Sequence, residues 1–150
     1  MDVVVPPRLF SLREANALVP TLQRTFGRAR DLRDRLTRLQ DELSRAGHPS
    51  EGPRIEVDPA APPRVQELQQ HAAAVLAELL EVLRTVSDLG AEVKAADGLV
   101  DFRSRLEGRV VYLCWRWGED AVIHWHELDD GFAGRKHLPE GAEFVGDLLH

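Results

Sequence analysis

The side chains in this sequence that can do chemistry converge on its second half. Tyr112, Cys114 and Arg116 alternate along the β-rich run from Arg109 to Trp115 and its end, and His124 and His126 alternate along the run from Ala121 to Glu127. Residues two apart on a strand point the same way, and cross-strand neighbours on one face have Cβ atoms about 5 Å apart. Pairing Cys114 with His124 and Tyr112 with His126, across a loop at Gly118 to Asp120, collects Val111, Leu113, Trp115, Ile123 and Trp125 on one apolar face. A slip of one residue would mix the two sets, so the register is specified by burial. If Val100 and Phe102 join the apolar face, Asp101 falls on the other with Tyr112, Cys114, Arg116, His124 and His126.

Imidazoles and a thiolate at that spacing can converge on one transition-metal ion, zinc or iron, at roughly 2.0 to 2.3 Å. Cys114, His124 and His126 are therefore the candidate metal ligands. Asp101 is a candidate further ligand or general base, and Arg135 a candidate clamp for a small anionic ligand such as a carboxylate or phosphate. Arg135 pairing with an internal acid such as Asp101 is the competing expectation. Glu127 falls on the opposite face unless the strand ends or bulges there, and His137, in a proline-containing loop, is expected to be exposed. Each residue also has a plainer role: a lone cysteine behaves as a small buried hydrophobe, and a histidine beside a tryptophan as a satisfied core residue. A metal site, a metal-free polar pocket and simple packing are the three readings of this face.

Composition narrows the classes of function. The chain has 150 residues, 43% hydrophobic and 29% charged, as expected of a folded domain. Its net charge of −6 argues against sequence-independent binding of nucleic acid. No run approaches the roughly 20 apolar residues of a membrane helix and no signal-peptide pattern opens the chain, so no membrane association and a cytoplasmic location are expected. The single cysteine, Cys114, cannot form an internal disulfide. Arginines dominate the stretch from Pro20 to Ala46, which reads as a solvated helix face pairing with a more acidic second helix rather than as a phosphate-binding stripe.

Two long helices must position the sheet. After an apolar start at Val3, Val4 and Val5, Ser11 stands three residues before Glu14, the capping-box spacing, so helix one should span 11–46 with a break near Pro20. From Leu22 the seam Leu22, Thr25, Ala29, Leu32, Leu36, Leu39, Leu43, Ala46 advances in steps of three and four, the period of helix-on-helix packing. Residues 47–63 are a proline-rich loop, with Arg54 to Val57 as a weak strand signal. Helix two, 64–89, repeats the seam through Val65, Leu68, Ala72, Val75, Leu79, Val82, Val86 and Leu89, which implies an antiparallel hairpin. Leu76, Leu80 and Leu83 widen its apolar face, to be covered by the sheet and by a second copy of the chain. The expected fold is therefore α+β, one domain: a long antiparallel helical hairpin with coiled-coil character and a three-stranded antiparallel β-meander over 98–127, followed by a C-terminal loop segment over 128–150.

The residues also carry a resemblance. Phe10-Ser11-Leu12, Glu14 to Leu18 with Pro20, Gly98 to Phe102, Gly108-Arg109, Tyr112 to Trp115, Gly118-Glu119, Trp125 to Glu127 and Gly131 to Arg135 resemble the bacterial family known as domain of unknown function 2203, over nearly the whole chain. The resemblance implies no activity, cofactor or partner, because none is known for that family. It places Asp101, Cys114, Trp115, Glu119, Trp125, His126, Glu127 and Arg135 on signature positions. His124 departs from it, since an aromatic often stands there, and Arg103 stands where proline is common. Two functions from different classes follow: a metal-binding protein or small metal-dependent enzyme using the polar sheet face, and a non-enzymatic helical interaction module that forms a homodimer.

Overall fold

The structure is a computed structural model that describes residues 7–50 and 54–147, so the apolar start at Val3 to Val5 lies outside the described residues. It is α+β: two helices, α1 (Leu12–Arg45) and α2 (Pro63–Asp88), precede a six-stranded antiparallel sheet. The chain divides into two compact units, residues 27–84 and the combination of 1–26 with 85–150.

The capping box that opens α1 is formed reciprocally. The Ser11 amide donates to Glu14 Oε1 at 2.9 Å, and the Glu14 amide donates to Ser11 Oγ at 3.0 Å. The expected break near Pro20 does not occur: α1 runs unbroken through it for 34 residues. Pro20 points to solvent while its neighbours Val19 and Leu22 are buried, so packing on the other face of the helix offsets the hydrogen bond that proline cannot make.

In the unit formed by residues 27–84, Ala29, Leu32, Leu39 and Leu43 of α1 and Val65, Leu68, Ala72, Val75 and Leu79 of α2 are buried. Three polar pairs show the antiparallel sense. Arg28 meets Glu78, Arg35 Nη2 lies 3.5 Å from His71 Nε2, and Glu42 lies 3.6 Å from Arg64. Each step of seven residues up α1 matches a step of seven down α2, as a helix seam requires. Pro63 occupies the first position of α2, where a missing amide hydrogen is harmless. Arg54 to Val57 form no strand.

In the other unit the strands are β1 (Glu92–Ala95), β2 (Leu99–Leu106), β3 (Arg109–Arg116), β4 (His124–His126), β5 (Lys136–His137) and β6 (Phe144–Val145). Their order is β1-β2-β3-β4-β5, with β6 paired to β2. The expected meander is its centre, β2 to β4, and the register is the one burial demanded: Cys114 pairs with His124 and Tyr112 with His126. The link from β3 to β4 is longer than the three-residue loop expected, because β4 starts only at His124. Ile123 thus lies outside the strand and is 46% exposed. The segment 128–150 is not only loop, since β5, β6 and a 3₁₀ turn at Phe132–Gly134 lie in it. Strands of two residues are too short to show alternation, which is why periodicity missed them.

One sheet face packs on an aromatic and aliphatic core. Phe10 meets Phe102 edge-on with centroids 5.1 Å apart, and Phe26 lies 6.0 Å from Trp115. Asn16 Oδ1 accepts the Val122 amide hydrogen at 2.7 Å, which ties the first turns of α1 to the approach to β4.

Candidate functional site

The opposite sheet face is also buried. Five successive residues of β3, Val111 to Trp115, are buried, so both faces of its centre are covered. Pairing across the strands lines up Glu92, Asp101, Cys114, His124 and His137 in one row, with Arg103, Tyr112 and His126 in the next.

Three of these side chains form a group. Ligating atoms of Asp101, Cys114 and His126 all lie within 4.8 Å of one another, and the residues are 3%, 0% and 2% exposed. His126 Nε2 is 3.1 Å from both Asp101 carboxylate oxygens, and His126 Nδ1 is 2.8 Å from the Glu127 carbonyl oxygen. A carbonyl only accepts, so Nδ1 carries a hydrogen and donates it, an assignment that follows from the partners. The pair at Nε2 must then share one further proton, held by the imidazole or by the carboxyl group.

This geometry excludes one common use of cysteine and histidine. Both nitrogens of His126 are engaged, so neither is free to take the proton of Cys114 as a general base. Burial pushes the Cys114 thiol up to about 12, and the nearby Asp101 carboxylate adds to the effect against the opposing charge of Arg135. A thiol in that condition is not a nucleophile.

Arg135 pairs with an internal acid, as one of its two expected roles had it, but that acid is Glu119 rather than Asp101. Arg135 Nη1 donates to Glu119 Oε1 at 3.0 Å, and its guanidinium lies 4.3 Å from the centre of the Phe132 ring. Burial lowers the Arg135 pKa, but the hydrogen bond and charge of Glu119, with a further contribution from Cys114, outweigh it and raise the value. Glu119 organises this corner. Its carboxylate also accepts the Arg116 amide hydrogen at 2.6 Å, and its carbonyl accepts Trp115 Nε1–H at 2.9 Å and a Gln23 amide hydrogen at 3.3 Å. The family resemblance placed Glu119 on a signature position but gave it no role, because its partners come from α1, β3 and the turn before β5.

His124 shares the row with Cys114 but not the group. Its ring lies 4.6 Å from the His137 ring, and its Nδ1, 3.3 Å from Glu119 Oε2, is buried without a hydrogen bond. Burial lowers its pKa, Arg135 and His137 lower it further, and Glu119 opposes them. His137 itself is exposed. Asp101 thus occupies the place in the group that the spacing had assigned to His124.

Beside this group, Glu92 gathers Lys94, Arg103 and Tyr112. Tyr112 Oη donates to Glu92 Oε1 at 3.0 Å and Arg103 Nε donates to Oε2 at 2.7 Å. Arg103 therefore has a charge partner that proline could not supply. Glu127 turns away and holds Arg109 through two bonds of 2.9 and 2.8 Å.

Together the fold and site define a class: an α+β protein whose antiparallel sheet carries a buried carboxylate, thiol and imidazole on one face. The family model of uncharacterized conserved proteins, DUF2203, matches residues 8–138, and the chain belongs to that family. No curated protein and no solved structure matches the chain. Among the described residues no helix is long and apolar enough to cross a membrane.

Proposed function

We propose that this is a metal-binding protein whose ligands are Asp101, Cys114 and His126, with zinc or iron as the ion. The observation that carries the reading is the convergence of one oxygen, one sulfur and one nitrogen donor within 4.8 Å in a buried setting. Donors at about 2.0 to 2.3 Å around one tetrahedral ion lie about 3.4 to 3.8 Å apart, so small side-chain adjustments suffice. The Glu127 carbonyl supports it as well: a backbone acceptor holds the hydrogen on Nδ1, so a metal that displaced the proton between Nε2 and Asp101 would meet the Nε2 lone pair and the carboxylate together. The mixed donor set suits a borderline ion such as zinc better than calcium or magnesium. Three protein ligands leave a fourth position for water or a small ligand, the arrangement of a small metal-dependent enzyme.

The test is metal analysis of protein purified without a histidine tag, followed by cobalt(II) titration. About one equivalent of metal, and a sulfur-to-cobalt charge-transfer band lost in Cys114→Ser, is expected. Wild-type protein that holds no metal and gives no such band overturns the reading.

A second reading rests on a separate observation. Leu80 is 57% exposed and lines, with Ile55, Leu76 and Ala77, a shallow cavity of about 240 Å³ in the helical unit. This supports self-association through the helices into a homodimer. Light scattering on wild type and Leu80→Glu tests it: a strict monomer, or association unchanged by the substitution in a folded variant, removes it.

A further inference from the structure

A second cavity lies on the same sheet face as the Asp101, Cys114 and His126 group. Ala95, Asp97, Leu99, Arg116 and Phe132 line a half-open pocket of about 160 Å³. Leu99 pairs with Arg116 just as Asp101 pairs with Cys114, and two residues along a strand advance about 7 Å. The cavity therefore begins one same-face pair beyond the buried group.

Its lining has two characters. Leu99, Ala95 and Phe132 are apolar, whereas Asp97 and Arg116 bring opposite charges to the same small space without pairing with each other. Among the described residues neither Asp97 nor Arg116 has an oppositely charged partner within 4.0 Å, in contrast to Arg135, which Glu119 holds at 3.0 Å. The Arg116 guanidinium lies 5.1 Å from the centre of the Phe132 ring, an arrangement that restrains a long side chain without neutralising its charge. Of the two roles the sequence offers Arg135, anion clamp or internal pair, the structure shows the internal pair, and it leaves Arg116 available.

We propose that this cavity binds a small carboxylate that also carries an amino or hydroxyl group. Arg116 takes the carboxylate through its planar fork, Asp97 accepts from the amino or hydroxyl group, and Leu99 and Phe132 flank the carbon atoms between them. The half-open pocket of about 160 Å³ takes a few heavy atoms between its two charged ends, and a longer ligand would extend into solvent. A plain carboxylate would satisfy Arg116 alone and leave Asp97 beside a like charge. A ligand with both groups satisfies both ends.

The site does not depend on a metal at Asp101, Cys114 and His126, and the experiment separates the two. Uniformly ¹⁵N-labelled protein is titrated with acetate, glycolate, glycine and L-alanine while the Nε–H signals of Arg116 and Arg135 and the amides of Asp97, Leu99 and Phe132 are followed. Saturable shifts at Arg116 and Phe132 are expected for glycolate, glycine or alanine at lower concentration than for acetate. Arg116→Gln should weaken binding about tenfold or more, equivalent to the loss of a charge-assisted contact. Asp97→Asn should remove the preference for glycine over acetate. Both residues are exposed, so both variants are expected to fold, and the dispersion of the same spectra verifies this. Binding measured in the presence of a metal chelator should match binding without it. The absence of a saturable shift with all four compounds, undiminished affinity in Arg116→Gln, or shifts centred on Arg135 would overturn the proposal.

Discussion

The imidazole of His126 faces the carboxylate of Asp101 with Nε2 3.1 Å from each oxygen, both residues almost wholly withdrawn from solvent. Removing one partner of a buried charged or hydrogen-bonded pair leaves the other without compensation, at a cost of about 3 to 5 kcal/mol. Asp101→Ala should therefore lower the urea midpoint sharply. Asp101→Asn, which retains a hydrogen-bonding group, should lower it less. Equal midpoints for Asp101→Ala and wild type would show that the pair contributes nothing to folding.

Cys114 should be chemically silent in the native state. Its thiol is fully buried and its pKa is raised to about 12 by burial and by Asp101. Labelling with iodoacetamide at pH 8 should be slow, limited by unfolding, and should become fast in urea. Rapid native labelling would place the thiol at the surface, contrary to its position in β3.

His124→Phe should be tolerated. The substitution removes a buried ring nitrogen that has no hydrogen bond and keeps an aromatic ring to lie against His137. A melting temperature at or above that of wild type is expected, with metal content unchanged if Asp101, Cys114 and His126 are the ligands. Loss of metal in a stably folded His124→Phe would bring His124 back as a ligand.

The cap of α1 makes a pH-dependent contribution. The Ser11 amide hydrogen bond, reinforced by the Ser11 hydroxyl and by Arg8, holds the Glu14 carboxyl below the usual carboxylate range, against the opposing effect of burial. A carboxyl group whose pKa is lower folded than unfolded binds more protons in the unfolded chain, so its stabilisation is present above its unfolded pKa and is lost as the pH falls through the folded one. Chemical denaturation from pH 7 down to pH 3 should show a shallower loss of stability in Glu14→Gln than in wild type. Ser11→Ala should cost about 0.5 to 2 kcal/mol at pH 7. Parallel curves for Glu14→Gln and wild type would remove Glu14 from the acid response.

Local signals carried much of the fold. The Ser11–Glu14 cap, most steps of the two helix seams and the period of two from Val111 to Trp115 depend on near neighbours in the chain and appear in the structure, although Phe26 rather than Thr25 is buried and Ala46 lies exposed beyond α1. Register was legible as well, because shifting Cys114 off His124 would have turned Trp125 out of the core. That register places Asp101, Cys114 and His126 on one face.

What the sequence could not decide depends on rings, charges and short segments brought together from far apart. Whether His124 or Asp101 completes the group with Cys114 turns on which way each side chain leans: His124 lies against His137 and beside Glu119, which β5 and the β3–β4 link bring to it, while Asp101 faces His126. The partner of Arg135 was equally hidden: Asp101 and Glu119 both lie far before it in the sequence, and only the path of the chain through Phe132–Gly134 puts one of them within 3.0 Å. The sequence alone thus determined which residues share the sheet face, through alternation and burial, while the tertiary structure decided which of them meet, because contacts between distant segments carry no local period to read.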